Sequence, residues 1–287
     1  MEYSINTVSG LFLNKTNDLD PKKWREYEED NLQFTTVWDT PKRDPYSWSL
    51  EGVKGNSPIE IPRQCILRFS KKGEHILDPF CGSGSTLLVS ARLRRYGTAI
   101  EINPKIKKIA EKNLSQTTLV EEDNEWLKKQ TIILGDSIVK LRTEFEPESI
   151  DMVFAHPPYW NLIKYSEEYI PDNYEIKGDL SSLDSVEEFY EKTKEIYKGV
   201  YRVLKPGKFF CVLIGEAFGK GGEVIPLDYY LTKMGLETDF KFYSKVIKIT
   251  REATSRRNQM NIMKFRSLRS NFFICMHDYV LIFRKPE

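Results

Sequence analysis

The chain holds 287 residues, 40% hydrophobic and 30% charged, with a formal net charge of +1. That length buries one large core or two modest ones, and the balanced charge excludes a polycation that grips nucleic acid with its whole surface. Four scattered cysteines (Cys65, Cys81, Cys211, Cys275) form no CxxC and no metal-type pairing with the three histidines, so neither a disulfide framework nor a metal site is expected.

Met1 to Asp20 shows no basic stretch followed by an apolar one, and the longest apolar run, Phe209 to Ile214, is far too short to span a bilayer. The expectation is a cytoplasmic protein with no membrane partner. Residues 1–34 are polar and weakly patterned and read as an N-terminal arm, and 35–287 as one domain. Thr35 to Trp38 reads as a short strand, and Pro41 to Pro62, rich in Pro, Gly and Ser, as loop. Ile61 to Ser70 follows as a helix.

From there the chain alternates. Strands are predicted at Ile76–Asp78, Gly97–Ile102, Thr131–Leu134, Ile150–Phe154 and Lys208–Leu213. Helices are predicted at Ser85–Arg95, at Lys105–Leu114 behind Asn103-Pro104, at Val186–Leu204 ended by Lys205-Pro206-Gly207, and at Leu227–Met234 ended by Gly235. Phe240–Ile249 and Tyr279–Phe283 close the chain as two strands with no clear helix between them, and they are expected to pair antiparallel at one edge. The pattern is that of an α/β protein, a mostly parallel sheet with helices on both faces.

Three strand ends carry the chemistry. Asp78-Pro79-Phe80-Cys81-Gly82-Ser83-Gly84-Ser85-Thr86 is a strand-to-helix turn whose glycines permit close ligand approach. It lacks the lysine of a phosphate-cradling P-loop and the third glycine of a dinucleotide turn. The next strand ends at Glu101, where a carboxylate can accept from a ribose diol, and the third ends at Asp136, where one can accept from an adenine amine. Each acid alone is ordinarily a solvated loop residue. Three successive strands ending in acids favour a cationic, adenosine-bearing ligand over a pyrophosphate. The fourth strand ends in His156-Pro157-Pro158-Tyr159, a stiff corner that offers bare carbonyls, an imidazole and a ring to a flat polar ligand.

This constellation resembles the DNA amino-methyltransferases that use S-adenosylmethionine. Asp78 to Gly84 is similar to their DPFxGSG cofactor motif, His156-Pro-Pro-Tyr to their [D/N/S]PP[Y/F/W] catalytic tetrapeptide, and His277 to Lys285 to their last strand. Asn56-Ser57-Pro58 through Ile66 resembles the family's extra cofactor segment. The likeness covers roughly residues 35–287, in a γ-like motif order. It implies a Rossmann-like methyltransferase fold and cofactor contacts from Trp38, Ser57, Pro58, Asp78, Phe80, Gly82, Gly84, Ser85, Thr86, Glu101, Asn103 and Asp136. It also implies catalytic roles for His156, Pro157, Pro158 and Tyr159.

By the same resemblance, His156 and the Pro157 carbonyl accept the two N–H bonds of the target amine, and Tyr159 stacks on the base. Histidine departs from the family's first position and can accept only as the neutral imidazole. Trp160 extends the motif towards the SPPYW form, which tilts the target towards cytosine N4 over adenine N6.

Between Lys241 and Asn271 nine Lys or Arg stand against one acid, Glu252, so this stretch carries about +8 and the remainder about −7. An insert at about 250–276, with Arg251, Arg256, Arg257, Lys264, Arg266 and Arg269, is the expected contact with double-stranded DNA. The acidic stretch Glu167 to Glu188 is expected to face away from that partner or to move. A cognate restriction endonuclease and a monomer or homodimer are the expected company. Two other readings remain: an RNA or protein-amide methyltransferase of the same fold, and a non-catalytic nucleic-acid-binding relative.

Overall fold

Ile150–Ala155 is buried at all six positions, as a strand flanked by parallel neighbours and covered on both faces must be. Its side chains alternate: Val153 and Ala155 enter one apolar cluster, Met152 and Phe154 the other. Around it stands the architecture of a computed structural model that describes residues 15–39, 53, 58–116, 121–160, 176–219, 223–250 and 260–287.

The strands are β1 (Val37–Trp38), β2 (His75–Asp78), β3 (Tyr96–Glu101), β4 (Gln130–Leu134), β5 (Ile150–Ala155), β6 (Leu204–Ile214), β7 (Ala217–Phe218), β8 (Val224–Ile225), β9 (Lys241–Ile249) and β10 (His277–Arg284). The helices are α1 (Trp24–Glu29), α2 (Glu60–Phe69), α3 (Ser85–Arg92), α4 (Pro104–Leu114), α5 (Glu121–Leu127), α6 (Ser137–Thr143), α7 (Val186–Val203), α8 (Leu227–Glu237) and α9 (Met260–Ser270). Among the described residues eight strands form one sheet in the order β1-β9-β10-β6-β5-β2-β3-β4, and β7 pairs with β8 apart from it. All pairings in the large sheet are parallel except those of β10, which runs against both β6 and β9. The strand order turns back between β2 and β5, and such a switch point opens a crevice at the carboxyl ends of the strands.

On one face α6, α7 and α8 bury Leu141, Phe189, Ile196, Val200, Leu231 and Met234 against Leu77, Val153 and Phe283. On the other, α2 and α3 bury Ile61, Ile66, Phe69 and Val89 against Ile76, Met152 and Phe209. Residues of the N-terminal stretch dock on α2: the Asn17 amide donates to Arg68 O, and Gln33 N to Gln64 Oε1.

The structure corrects several expected elements. The long helix stops at Val203, and Leu204 to Gly207 already belongs to β6. Gly235 does not end α8, which runs to Glu237; a Cβ there would come within 2.3 Å of Phe283 Cε1, so the residue allows the helix to lie close on β10. Helices α5 and α6 were missed. So was α9, which occupies the link between β9 and β10. The edge beside β9 is taken by β1, so the antiparallel pair is not terminal.

Candidate active site

Asp78 is buried at the end of β2, where its Oδ1 accepts from Phe80 N at 2.8 Å and its carboxylate is also bonded by the Thr86 side chain. These bonds tie the two limbs of the glycine turn together. Gly82 sits at φ 53°, a backbone region that favours glycine, and its N–H donates to Glu101 Oε2 at 2.9 Å. The other oxygen of Glu101 accepts from Asn103 N at 2.9 Å. Asn103 Oδ1 caps α4 through Lys105 N and Ile106 N, and Asp136 Oδ1 caps α6 through Ile138 N.

Burial pushes both Asp78 and Glu101 up to about 7, against the hydrogen bonds that lower them. Such a shift marks carboxylates that give up water's solvation and gain from a cationic neighbour.

Asp78, Phe80, Gly82, Ser85, Thr86, Glu101, Asn103, Asp136, His156 and Pro158 all line one cleft, of about 950 Å³ with the solvent at its mouth included. Its described lining contains four acids and no Lys or Arg. That set fits an adenosine-bearing cation and repels a phosphate chain.

Asp179, a buried acid that the sequence did not single out, completes the four. Gly178 makes room for this arrangement, because a Cβ there would come within 2.7 Å of Asp136 Oδ2. This described part of the acidic stretch walls the cleft. The signal for it was local and short: Asp179 caps the turn Leu180–Ser182 by accepting from Ser181 N, a pattern common at any turn.

Some expected contacts lie elsewhere. Trp38 is buried in the core beside Ile61 and Val246, with its indole N–H on Thr35 O, and does not reach the cleft. Gly84 begins α3 at φ 84° and packs on Ala110, so it serves helix packing. Pro58 is exposed and away from the lining, whereas Val53, upstream, is buried in it. Ser57, Arg251, Arg256 and Arg257 lie outside the described residues.

At the far side of the cleft β5 ends in the proline corner. His156 is half-buried, and burial pushes its imidazole down to about 4, so the ring is neutral at pH 7. Its Nε2 lies 3.1 Å from the Tyr159 hydroxyl, and the two rings meet edge to face with centroids 5.4 Å apart. Tyr159 does not line the cleft. Its ring lies over Gly215 at the end of β6, where a Cβ would come within 2.3 Å of Tyr159 Cε2. Trp160 is held by its indole N–H on Leu183 O. Pro157 is buried.

A family model described as DNA methylase (N6_N4_Mtase) matches residues 7–112 and 150–287. The chain belongs to the DNA methylase family. Members of this family take their methyl group from S-adenosylmethionine, the ligand that the acid-lined cleft fits. Type II methyltransferase M.MjaII of Methanocaldococcus jannaschii is 27% identical over 256 residues, covering 87% of this chain and 46% of that protein. Type II methyltransferase M2.DpnII of Streptococcus pneumoniae is 29% identical over 121 residues, covering 39% of this chain and 44% of that protein. The aligned regions thus span less than half of either relative. Among solved structures, a SAM-dependent methyltransferase from Methanosarcina mazei superposes with a TM-score of 0.50 at 16% identity, covering 77% of this chain and 97% of that one. The [4+2]-cyclase SpnF gives the same TM-score at 15% identity over 82% and 86%. At such identities the likeness is one of fold, and this member of the family shares its Rossmann-like sheet with proteins of other chemistry.

The described part of the basic insert is α9, which carries Lys264, Arg266 and Arg269 and buries no residue. Lys248, one of the nine cations in the stretch, is instead buried in an ion pair with Asp278 at 3.0 Å. Glu216, Cys275 and His277 also come together, their ligand atoms within 4.8 Å of one another. No sequence spacing announced this group, since Glu216 follows β6 while the other two reach it from the start of β10. Cys275 Sγ donates to His277 O at 3.4 Å, and the Tyr279 hydroxyl lies 2.8 Å from His277 Nε2 and 3.5 Å from Glu216 Oε1. Among the described residues no helix is long and apolar enough to cross a membrane.

Proposed function

We propose that this DNA methylase transfers a methyl group to the exocyclic amine of a base in DNA, cytosine N4 in preference to adenine N6. The observation that carries the reading is the placement of His156-Pro157-Pro158-Tyr159 at the carboxyl end of β5, beside the switch point and an acid-lined cleft whose described lining holds no Lys or Arg. Bound there, S-adenosylmethionine supplies a methyl group already activated by its sulfonium. Asp78 holds the glycine turn in shape, Glu101 offers carboxylate lone pairs to the ribose, and Asp136 does the same for the adenine amine.

The target amine is a poor nucleophile because its lone pair is delocalised into the ring. His156 and the Pro157 carbonyl draw its two hydrogens, which moves the nitrogen towards tetrahedral geometry and frees the lone pair. Transfer would form an N–C bond as the S–C bond of the donor breaks with its electrons kept on sulfur, and the surplus proton on nitrogen would leave to water. An imidazole held near 4 suits orientation more than proton removal. Positioning supplies most of the acceleration.

A base inside a duplex cannot reach this corner, so the target is flipped out or already single-stranded. Lys264, Arg266 and Arg269 on the exposed α9, with Arg251, Arg256 and Arg257 upstream, supply phosphate contacts. The preference for cytosine N4 rests on Trp160 beside the motif. The names of the curated relatives place them as Type II methyltransferases, and a cognate restriction endonuclease is the partner this reading implies.

Transfer of labelled methyl from S-adenosylmethionine to duplex DNA, with RNA and a protein amide in parallel, tests the reading. Labelled DNA with the methyl at cytosine N4 is expected. Labelled RNA or protein with unlabelled DNA overturns it, and binding of the cofactor without any transfer favours a non-catalytic DNA-binding role.

A further inference from the structure

His156 has two ring nitrogens, and only the one without a proton can accept from a target amine. Nε2 is occupied by Tyr159, whose phenol is in turn 3.5 Å from Asp278 Oδ1. Asp278 stands on β10 directly opposite Lys248 on β9. Its other oxygen, Oδ2, accepts from Lys248 Nζ at 3.0 Å and from Thr250 Oγ1 at 2.9 Å, and Lys248 also reaches Thr250 Oγ1 at 2.8 Å. The carboxylate is therefore fixed on one side and offers Oδ1 alone to the phenol. Gly215 leaves space for both groups, since a Cβ there would come within 2.7 Å of Asp278 Oδ1 as well as striking the Tyr159 ring.

We infer that Asp278 is a positioning residue that sets the tautomer of His156 through Tyr159. Among the described residues, His156 Nε2 and Asp278 Oδ1 compete for the one proton of the phenol. Given to His156 Nε2, it leaves the phenol oxygen facing a carboxylate, lone pair against lone pair. Given to Asp278, it makes a charge-assisted bond, the stronger kind, and lets the phenol oxygen accept from Nε2–H. The second arrangement satisfies all three groups, puts the imidazole proton on Nε2 and leaves Nδ1 as the acceptor. The 3.5 Å separation is longer than an ordinary O–H···O bond, and contacts of this kind tighten when the reacting complex assembles.

The arrangement explains how a histidine can stand where the family carries Asp, Asn or Ser. Those side chains present an oxygen acceptor without further help, whereas imidazole does so in one of two neutral forms and needs a neighbour to choose between them. Lys248 and Thr250 hold that neighbour in place and never touch the base.

This inference rests on the methyl-transfer reading of His156, and its primary test does not use activity. Nitrogen-15 spectra of the full chain, with histidine labelled and His156 assigned by its loss in His156→Gln, report the tautomer directly. A protonated Nε2 with a bare Nδ1 is expected. Asp278→Asn removes the charge and is expected to lower the Nε2–H population, with turnover falling by about tenfold or more and the KM for the cofactor unmoved. Tyr159→Phe keeps the ring and breaks the chain of bonds, and the same loss of preference is expected if Asp278→Asn proves unstable. A wild-type His156 protonated on Nδ1, or a tautomer indifferent to both variants, overturns the relay. If instead His156→Gln keeps full turnover while the tautomer is as expected, the methyl-transfer role of His156 fails and the relay stands as a structural fact.

Discussion

Asp78, Glu101, Asp136 and Asp179 each accept a hydrogen bond from a backbone N–H of their own loops, so these carboxylates are held in place without a ligand. The α9 side is the opposite. None of its residues is buried, Leu268 is 85% exposed, and Phe273 just beyond is 96% exposed. Leu268 and Phe273 stand in water near Lys264, Arg266 and Arg269. On the proposed reading the difference follows from the two partners. A small cation must lose water to bind and needs groups that do not reorganise, whereas a nucleic acid is large, charged and variable in shape, and its site can close around it.

The largest expected effect lies at the proline corner. Tyr159→Ala removes both the ring over Gly215 and the partner of His156 Nε2, and turnover is expected to fall by about a hundredfold or more, as for other losses of alignment at a reacting centre. Calorimetry should find cofactor affinity unchanged, because Tyr159 does not line the cleft. Near-normal turnover would show that the proline corner does not hold the base.

Replacing Lys264, Arg266 and Arg269 together by Gln comes next. The log–log salt dependence of DNA affinity should flatten by about 0.9 for each phosphate that is no longer neutralised. Cofactor binding should not change. An unaltered salt slope would make α9 an ordinary solvated helix and would leave DNA binding to some other surface.

How much of this was legible in the sequence also divides along the two sides. The turn at Asp78 to Thr86, the acids at Glu101 and Asp136 and the corner at His156 were readable, because each needs particular residues at one strand end and the spacing of strands fixes their order. The parts that depend on distant segments meeting were not. Asp179 reaches the cleft from a turn between β5 and α7, and Lys248 faces Asp278 only because β9 and β10 pair in one register. Counted along the chain, Lys248 is one more cation in a basic stretch; in the fold it is buried in an ion pair with Asp278, behind the proline corner. Trp38, which the resemblance set among the cofactor contacts, packs instead in the core with Ile61 and Val246. Helix α9 was missed because its apolar residues have no core to face, which removes the periodic burial that makes a helix visible.

The pH dependence separates the two sides further. Asp78 and Glu101 rise from ordinary values of 3.8 and 4.5 to about 7. Over that window the folded, ligand-free protein binds more protons than the unfolded chain, so its stability falls as pH rises towards 7. Cofactor affinity should run the other way, increasing with pH as the carboxylates ionise and levelling above about 7, with protons released on binding. Turnover at saturating cofactor should lack this limb, since His156 is pushed down to about 4 and is already neutral. Titrations in buffers of different ionisation enthalpy measure the proton release directly. Release that is absent near pH 6 would mean that Glu101 and Asp78 are ionised before the ligand arrives.

Asp136 gives the smallest and most discriminating effect. Its Oδ1 caps α6 through Ile138 N at 2.8 Å, and its Oδ2 faces Gly178 across the cleft wall. Ala loses the cap and the carboxylate together, with about 1 kcal/mol of stability expected to go with the cap. Asn keeps a side-chain oxygen for Ile138 N and should hold most of that stability while losing the negative charge. If Asp136 is built only as a helix cap, Asn restores both the melting temperature and the affinity for S-adenosylmethionine. If it also holds the adenine amine, Asn restores the melting temperature alone, because an amide oriented by its cap cannot offer a second anionic oxygen to the cleft.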